Sequence, residues 1–285
     1  MRRMGAANLL GSLRDCLPWG RPPQGVGFAA AAATDRGLVR ADNQDAFACR
    51  PERGFLCVAD GMGGGDGGAA ASAWTCAALE EAWEATRGQP FAAREARVGE
   101  ALQEVNGRIR AYADEKGYRM MGTTVAALLH DAAGGGARAR ICHVGDSRIY
   151  RLRRGRLDAL TRDHTVGSEL GTALSSSDSA QAEALRARSN PLTHILTRAV
   201  GTERRARPAW KTVDVQRGDR LLLCSDGVHD MVSDAEIAAL LKGGFSPQAA
   251  VARLEAAVRR AGAGDNYTLV CADVVAVRRT PAEMV

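Results

Sequence analysis

Residues 55–68 read FLCVADGMGGGDGG. An apolar run ends on Asp60 and passes straight into a glycine-rich segment. A glycine-rich turn after a strand commonly cradles phosphate, but a P-loop needs Gly-Lys-Ser/Thr at its end and none follows. A dinucleotide fingerprint has to open a helix inside a βαβ unit, and an isolated GxGxxG match is weak. Asp60 therefore needs another explanation.

Other carboxylates sit in the same kind of place. ICHVGD ends on Asp146, and LLLCSDGVHD carries Asp226 with Asp230 four residues later. Asp265 directly precedes the strand-like NYTLV, and Asp45 does the same in NQDAF. One Asp-Gly pair is ordinary turn chemistry. Several strand ends carrying aspartate are different, because at one edge of the sheets the carboxylates would converge and repel unless cations intervene. Hard divalent ions with oxygen ligands, Mg²⁺ or Mn²⁺, suit such a site. Gly61 lets the backbone come close, which offers its carbonyl as a further ligand. Two such ions roughly 3.5–4 Å apart activate a bridging water and stabilise in-line displacement at phosphorus. Arg40, in RGLVRADNQDAF, can grip phosphate oxygens with its guanidinium.

The remaining chain reads as alternating strands and helices. Strands are expected at 26–35, 46–51, 54–60, 122–130, 139–146, 148–155, 210–215, 219–226 and 266–277, from Val/Ile/Thr content and alternation. Helices are expected at 68–86, 92–116 and 246–262, with Ser246-Pro247 as cap and first turn, and a shorter one after Ser233. HVGDSRIY reads as two strands joined by a tight Gly-Asp turn. Strands cluster without regular βαβ alternation, so antiparallel sheets with helices outside are favoured. The polar stretch from His164 to about Asn190 reads as a small mobile insertion.

The 285 residues suffice for a sizeable core, and 46% hydrophobic with 25% charged residues is ordinary for a globular chain. No apolar run approaches a membrane span, and Arg14 and Asp15 interrupt any signal-peptide core, so a cytoplasmic protein is expected. The seven cysteines form no CxxC pair and read as small buried hydrophobes in a reducing compartment. The five histidines lack metal-ligand spacing, which disfavours zinc, and His130 and His143 read as core or edge residues. Net charge is +5 with only 5% aromatics, so no basic stripe with stacking residues marks a nucleic-acid binder.

These motifs together resemble the metal-dependent Ser/Thr protein phosphatases of the PP2C-like (PPM) family, in its bacterial branch. The matching stretches are TDRGLVRADNQDAF (34–47), VADGMGGGDGGAAAS (58–72), MGTTVAAL (121–128), CHVGDSRIYRLRRGRL (142–157), LTRDHT (160–165), LTRAVG (196–201), GDRLLLCSDGVHDMV (218–232) and GDNYTLV (264–270). They occur in family order over about residues 26–277.

The resemblance implies an α+β fold, a four-layer αββα sandwich of two antiparallel sheets flanked by helices. It implies a phosphatase domain over 25–278, with a flap at about 164–200, an N-terminal extension (1–24) expected to be loosely ordered, and a short tail (279–285). It implies two Mn²⁺ or Mg²⁺ ions and a third. Asp60 would bridge the first two, the Gly61 carbonyl would bind one, and Asp226 and Asp265 the other. Asp45 would act through metal-bound water, Arg40 would hold the substrate phosphate, and Asp146 with Asp226 and Asp230 would form the third site. Phosphoproteins are the implied substrates, among them a Ser/Thr kinase and its targets. The chain is expected to be a monomer. Gln44 stands where the family often has Glu. Met62 stands where animal members carry a histidine proposed as general acid, which leaves metal-bound water, His164 and His194 open for that role. A pseudophosphatase that binds phosphorylated partners, or another two-metal phosphohydrolase, are the alternatives.

Overall fold

The computed structural model describes residues 24–131, 137–174, 179–187 and 189–278. The expected N-terminal extension lies outside them except for Gln24, as does the tail 279–285. The strands are β1 (Gln24–Asp35), β2 (Asp45–Arg50), β3 (Phe55–Gly63), β4 (Met121–Thr123), β5 (Val125–His130), β6 (Arg138–Val144), β7 (Arg148–Arg153), β8 (Arg156–Ala159), β9 (Ala209–Asp214), β10 (Arg220–Cys224) and β11 (Tyr267–Arg278). The helices are α1 (Gly67–Ala85), α2 (Phe91–Lys116), α3 (Val166–Ala173), α4 (Ser179–Arg186), α5 (Asp226–His229), α6 (Asp234–Leu241) and α7 (Pro247–Arg260).

All strand pairs are antiparallel. One sheet runs β1-β11-β10-β7-β8, and the other β2-β3-β5-β6-β9 with β4 paired to the far end of β3. The period of two along each strand sorts side chains into three apolar layers. Phe55, Cys57 and Ala59 of β3 and Val125, Ala127 and Leu129 of β5 face α1 and α2. Leu56, Val58, Ala126 and Leu128 face the other way, onto Leu221, Leu223, Val270 and Ala272 of the opposing sheet. Leu222, Cys224, Leu269 and Cys271 then face α6 and α7. Central strands are thus buried on both faces, which is why their sequences read as unbroken apolar runs. The expected αββα sandwich is borne out.

Local rules place the helix ends. The Ser246 hydroxyl accepts from Ala249 N at 3.3 Å and the Ser233 hydroxyl from Glu236 N at 3.2 Å. Cys57, Cys76, Cys142, Cys224 and Cys271 are buried free thiols, as expected, and Cys49 is half-buried. His130 and His143 are buried.

The expected hairpin at HVGDSRIY is not one. β6 pairs with β5 and β9, whereas β7 pairs with β10 and β8, so Gly145-Asp146-Ser147 crosses from one sheet to the other. Alternation reports which faces are buried but not which ladder a strand joins. The true hairpin comes next: Arg154 and Gly155, both at positive φ, make the two-residue turn from β7 into the unforeseen β8. The expected strand 122–130 is broken at Thr124, for a reason found in the site.

Candidate metal centre

Asp60 and Asp45 are register partners across β3 and β2. Asp226 follows β10 at the first turn of α5, Asp265 precedes β11 by two residues, and Asp146 sits in the crossing turn. Both sheets therefore deliver carboxylates to one end of the sandwich. Arg40, Asp60, Gly61, Asp146, Asp226 and Asp265 line one cleft of about 640 Å³. Asp230 lines a neighbouring cavity that shares Asp146 and His194 with that cleft.

The backbone around Asp60 is pinned. Its N–H donates to Thr124 Oγ1 at 2.9 Å, and its carbonyl accepts from Thr124 N and Thr123 Oγ1, each at 2.8 Å. That task explains the break between β4 and β5. Gly61 N donates to Gln44 O at 3.1 Å, and a Cβ on Gly61 would collide with the Gly68 and Gln44 carbonyl oxygens. Asp45 Oδ2 accepts from Ser225 Oγ at 2.7 Å, and Ser225 Oγ in turn accepts from Thr268 N at 2.9 Å. The loop bearing Arg40 is fixed by Asn266, whose amide donates to Arg36 O (2.9 Å) and Asp42 O (2.8 Å) and accepts from Gln44 N (2.9 Å). Arg40 Nη2 donates to Asp265 Oδ2 at 2.6 Å. Ser225, Thr123, Thr124 and Asn266 escaped the sequence reading. The available signal was that each lies beside a strand-end aspartate in the chain or in the ladder.

The electrostatics follow from crowding. Burial, then the charges of Asp226, Asp45 and Asp146, push Asp60 well above the usual carboxylate range. Burial, then Asp226 and Asp163, does the same to Asp146. Asp226 is raised by its burial, and Asp45 is pushed up to about 7, again by burial first, although the Ser225 and Thr268 hydroxyls pull it back. Asp230 is the exception. Burial would raise it too, but His229 at 3.3 Å and His194 at 3.4 Å from its oxygens leave it lowered.

The donor set fits divalent cations. It is all-oxygen, its four aspartates outnumber the two arginines of the cleft, Arg40 and Arg198, and Asp45 Oδ1 is buried without a hydrogen bond. Asp226 also favours the protonated form of Asp60, and among the described residues no three His, Cys, Asp or Glu side chains stand in closed coordinating geometry.

A pH prediction follows. Each raised carboxyl holds its proton more tightly in the folded than in the unfolded chain. Its stabilising contribution is present below the unfolded value near 4 and is lost as pH rises through the folded value, about 7 for Asp45. In EDTA the melting temperature should fall between about pH 5 and pH 8, and Mn²⁺ should flatten or reverse that slope by replacing protons with cations. A metal-free melting temperature that rises across this window would contradict it.

Of the two candidate histidine proton donors, His194 lines the cleft, as does Met62, which has no proton to give. His164 does not. It is buried, stacks on His143 at 4.8 Å and accepts from Gly145 N at 3.1 Å, and burial, then His143 and Arg198, lower its pKa to about 3. It braces the turn that carries Asp146. The polar stretch expected as an insertion forms α3 and α4 in its described part, with Thr165 capping α3. Its continuation, His194 to Ala199, walls the cleft.

Residues 37–260 match the family model described as "Protein phosphatase 2C". The chain is 36% identical over 246 residues to "Serine/threonine protein phosphatase PstP" of Mycobacterium tuberculosis, covering 86% of this chain and 45% of that protein. It is 36% identical over 214 residues to "Serine/threonine phosphatase stp" of Listeria innocua, covering 73% of this chain and 81% of that one. The chain thus spans about half the length of the mycobacterial relative. A solved structure described as the catalytic domain of serine threonine protein phosphatase PstP in complex with 2 manganese ions aligns with a TM-score of 0.73 at 34% identity, covering 88% of this chain and 99% of that one.

Proposed function

Because the chain belongs to the protein phosphatase 2C family, we propose that it is a metal-dependent protein phosphatase that hydrolyses phosphoserine and phosphothreonine. The observation that carries this reading is the convergence of four aspartates, Asp60, Asp146, Asp226 and Asp265, from both sheets on one cleft that also holds Arg40, with Asp45 paired to Asp60 beside it. Asp60 and the Gly61 carbonyl would hold one Mn²⁺ or Mg²⁺, Asp60 with Asp226 and Asp265 a second, and Asp146 with Asp226 and Asp230 a third. When bound, such ions supply the Lewis acidity that makes water a nucleophile near neutral pH and neutralise charge on the phosphoryl group.

The chain's own residues do the rest. Ser225 orients Asp45 so that Oδ1 points away from its hydrogen-bonded side, free to hold a water in place. Arg40 leaves Asp265 to grip the phosphate, which frees that carboxylate at the moment the substrate arrives. The Asn266 staple keeps the Arg40 loop at the cleft edge. Met62 carries no titratable proton, so the leaving oxygen is not protonated from that position.

The substrates would be phosphoproteins, including a Ser/Thr kinase and its targets. Among the described residues no helix is long and apolar enough to cross a membrane, and the buried thiols remain unpaired. Free buried thiols suit a reducing compartment, and we place the reaction in the cytoplasm on that ground alone.

The test is hydrolysis of p-nitrophenyl phosphate and of a phosphothreonine peptide with Mn²⁺, with Mg²⁺ and with EDTA. Release that depends on the metal and stops in EDTA is expected. Metal-independent release, or none from folded protein, overturns the reading. In the same assay Arg40→Ala should raise KM about 10-fold or more with a smaller effect on kcat, since the contact forms before the transition state. A drop in kcat alone would place Arg40 later in the reaction.

A further inference from the structure

Six large hydrophobic side chains are exposed among the described residues: Leu38, Val39, Phe47, Met120, Leu170 and Ile195. Scattered singly, such residues need no explanation. Two of them line the candidate site, and two more stand next to it in the chain. Met120, 60% exposed, and Ile195, 50% exposed, line the same cleft as Arg40, Asp60 and Asp226. Leu38 and Val39, 65% and 73% exposed, directly precede Arg40, which is part of that lining.

Three unrelated segments contribute them: the β1–β2 loop, the link between α2 and β4, and the stretch after α4. None is frayed backbone. Leu38 N donates to Ala263 O at 2.9 Å, and Gly37, at positive φ, is packed against the Asp265 carbonyl. Ile195 O accepts from Val166 N at 2.9 Å, and Met120 leads directly into the ladder that joins Met121 to Gly63. Hydrogen-bonded backbone therefore holds apolar side chains out into water around a cleft whose floor is carboxylate. An apolar rim on a polar pocket gains free energy only when something apolar covers it.

We propose that this rim selects the substrate sequence: it binds apolar side chains flanking the phosphorylated Ser or Thr, so that the preferred substrate is a phosphopeptide with Leu, Val, Ile, Met or Phe beside the phosphoresidue. The occupant follows from continuity with the cleft, since Met120 and Ile195 line the same cleft as Arg40 and stand within reach of the residues flanking a phosphate held there. The inference rests on the phosphatase reading and deepens it.

The experiment compares kcat/KM for phosphothreonine peptides identical except at the two flanking positions, Leu and Phe in one, Ser and Asp in the other. One apolar contact in such a subsite is worth about 10-fold or more. The apolar-flanked peptide should therefore be favoured at least about 10-fold, and Met120→Ser combined with Ile195→Ser should collapse that ratio at least about 5-fold. Equal or reversed preference in the unmodified chain, or a ratio untouched by the substitutions, overturns the proposal. Metal-dependent hydrolysis of p-nitrophenyl phosphate, read alongside, reports the phosphatase reading separately. Equilibrium binding of the same peptides to the unmodified chain reads the preference even without turnover, and equal affinities there also overturn it.

Discussion

Asp60→Asn is expected to lower metal-dependent phosphatase turnover about 1,000-fold or more, which is roughly 4 kcal/mol of lost transition-state stabilisation. Asp60 is where the charges of Asp45, Asp146 and Asp226 all act, so it stands at the centre of the proposed cation-binding set. Asparagine keeps its shape and removes its charge. The fold should survive, because the Asp60 backbone, not its side chain, makes the bonds to Thr123 and Thr124 that hold β3 to its neighbours. Near neutral pH in EDTA the variant should melt no lower than the unmodified chain, since one member of a repelling buried group has been neutralised. In Mn²⁺ the order should reverse, as the variant loses ligand-linked stabilisation. Paired melting curves with and without Mn²⁺, together with the activity assay, check both halves. A fully active Asp60→Asn enzyme would sink the metal-centre reading.

Gly61→Ala should be the most damaging single methyl group in the site. The added Cβ would lie 2.5 Å from the Gln44 carbonyl oxygen and closer still to that of Gly68. Both obstacles are backbone, one in the segment leading to β2 and one in the first turn of α1, so neither can rotate away. Relief requires β3 to move from α1 or from the Asp45 segment, and either movement displaces the Gly61 carbonyl and Asp45 from the cation positions. A cost of about 3 kcal/mol is expected, above the usual effect of a surface change, with a fall in melting temperature of roughly 6–12 °C and loss of metal-dependent activity. Gly64→Ala is the control: nothing lies within 4 Å of its Cβ and its φ is not positive. Equal melting temperatures for the two variants would show that the β3–α1 approach is looser than these contacts imply.

Much of the site was legible because its chemistry is carried by residue type at strand ends. Asp45, Asp60, Asp146, Asp226 and Asp265 each stand where an apolar run starts or stops, and a short-range pattern suffices to see that. The groups that hold them in place were not legible. Ser225 reaches Asp45 across 180 positions of sequence, and Asn266 reaches Gln44 across 222. A serine or asparagine next to an aspartate looks like ordinary turn chemistry until its distant partner is known. The apolar rim was equally hidden. Leu38, Val39, Met120 and Ile195 lie in three separate segments, and nothing local distinguishes an exposed leucine from a buried one.

The sequence by itself determined most of the strands, the main helices with their serine caps, the placing of helices outside antiparallel sheets and the carboxylate inventory. Those follow from periodicity, capping and residue chemistry, which act over a few residues. Only the tertiary structure decided that β6 and β7 belong to different sheets, so that Asp146 is carried on a crossing between them and not on a hairpin tip. It also decided which hydroxyls and amides brace the aspartates, and that the exposed Met120 and Ile195 meet at one cleft. Ladder pairing and convergence are set by contacts between segments far apart in the chain, and a period of two is the same whichever partner a strand finds.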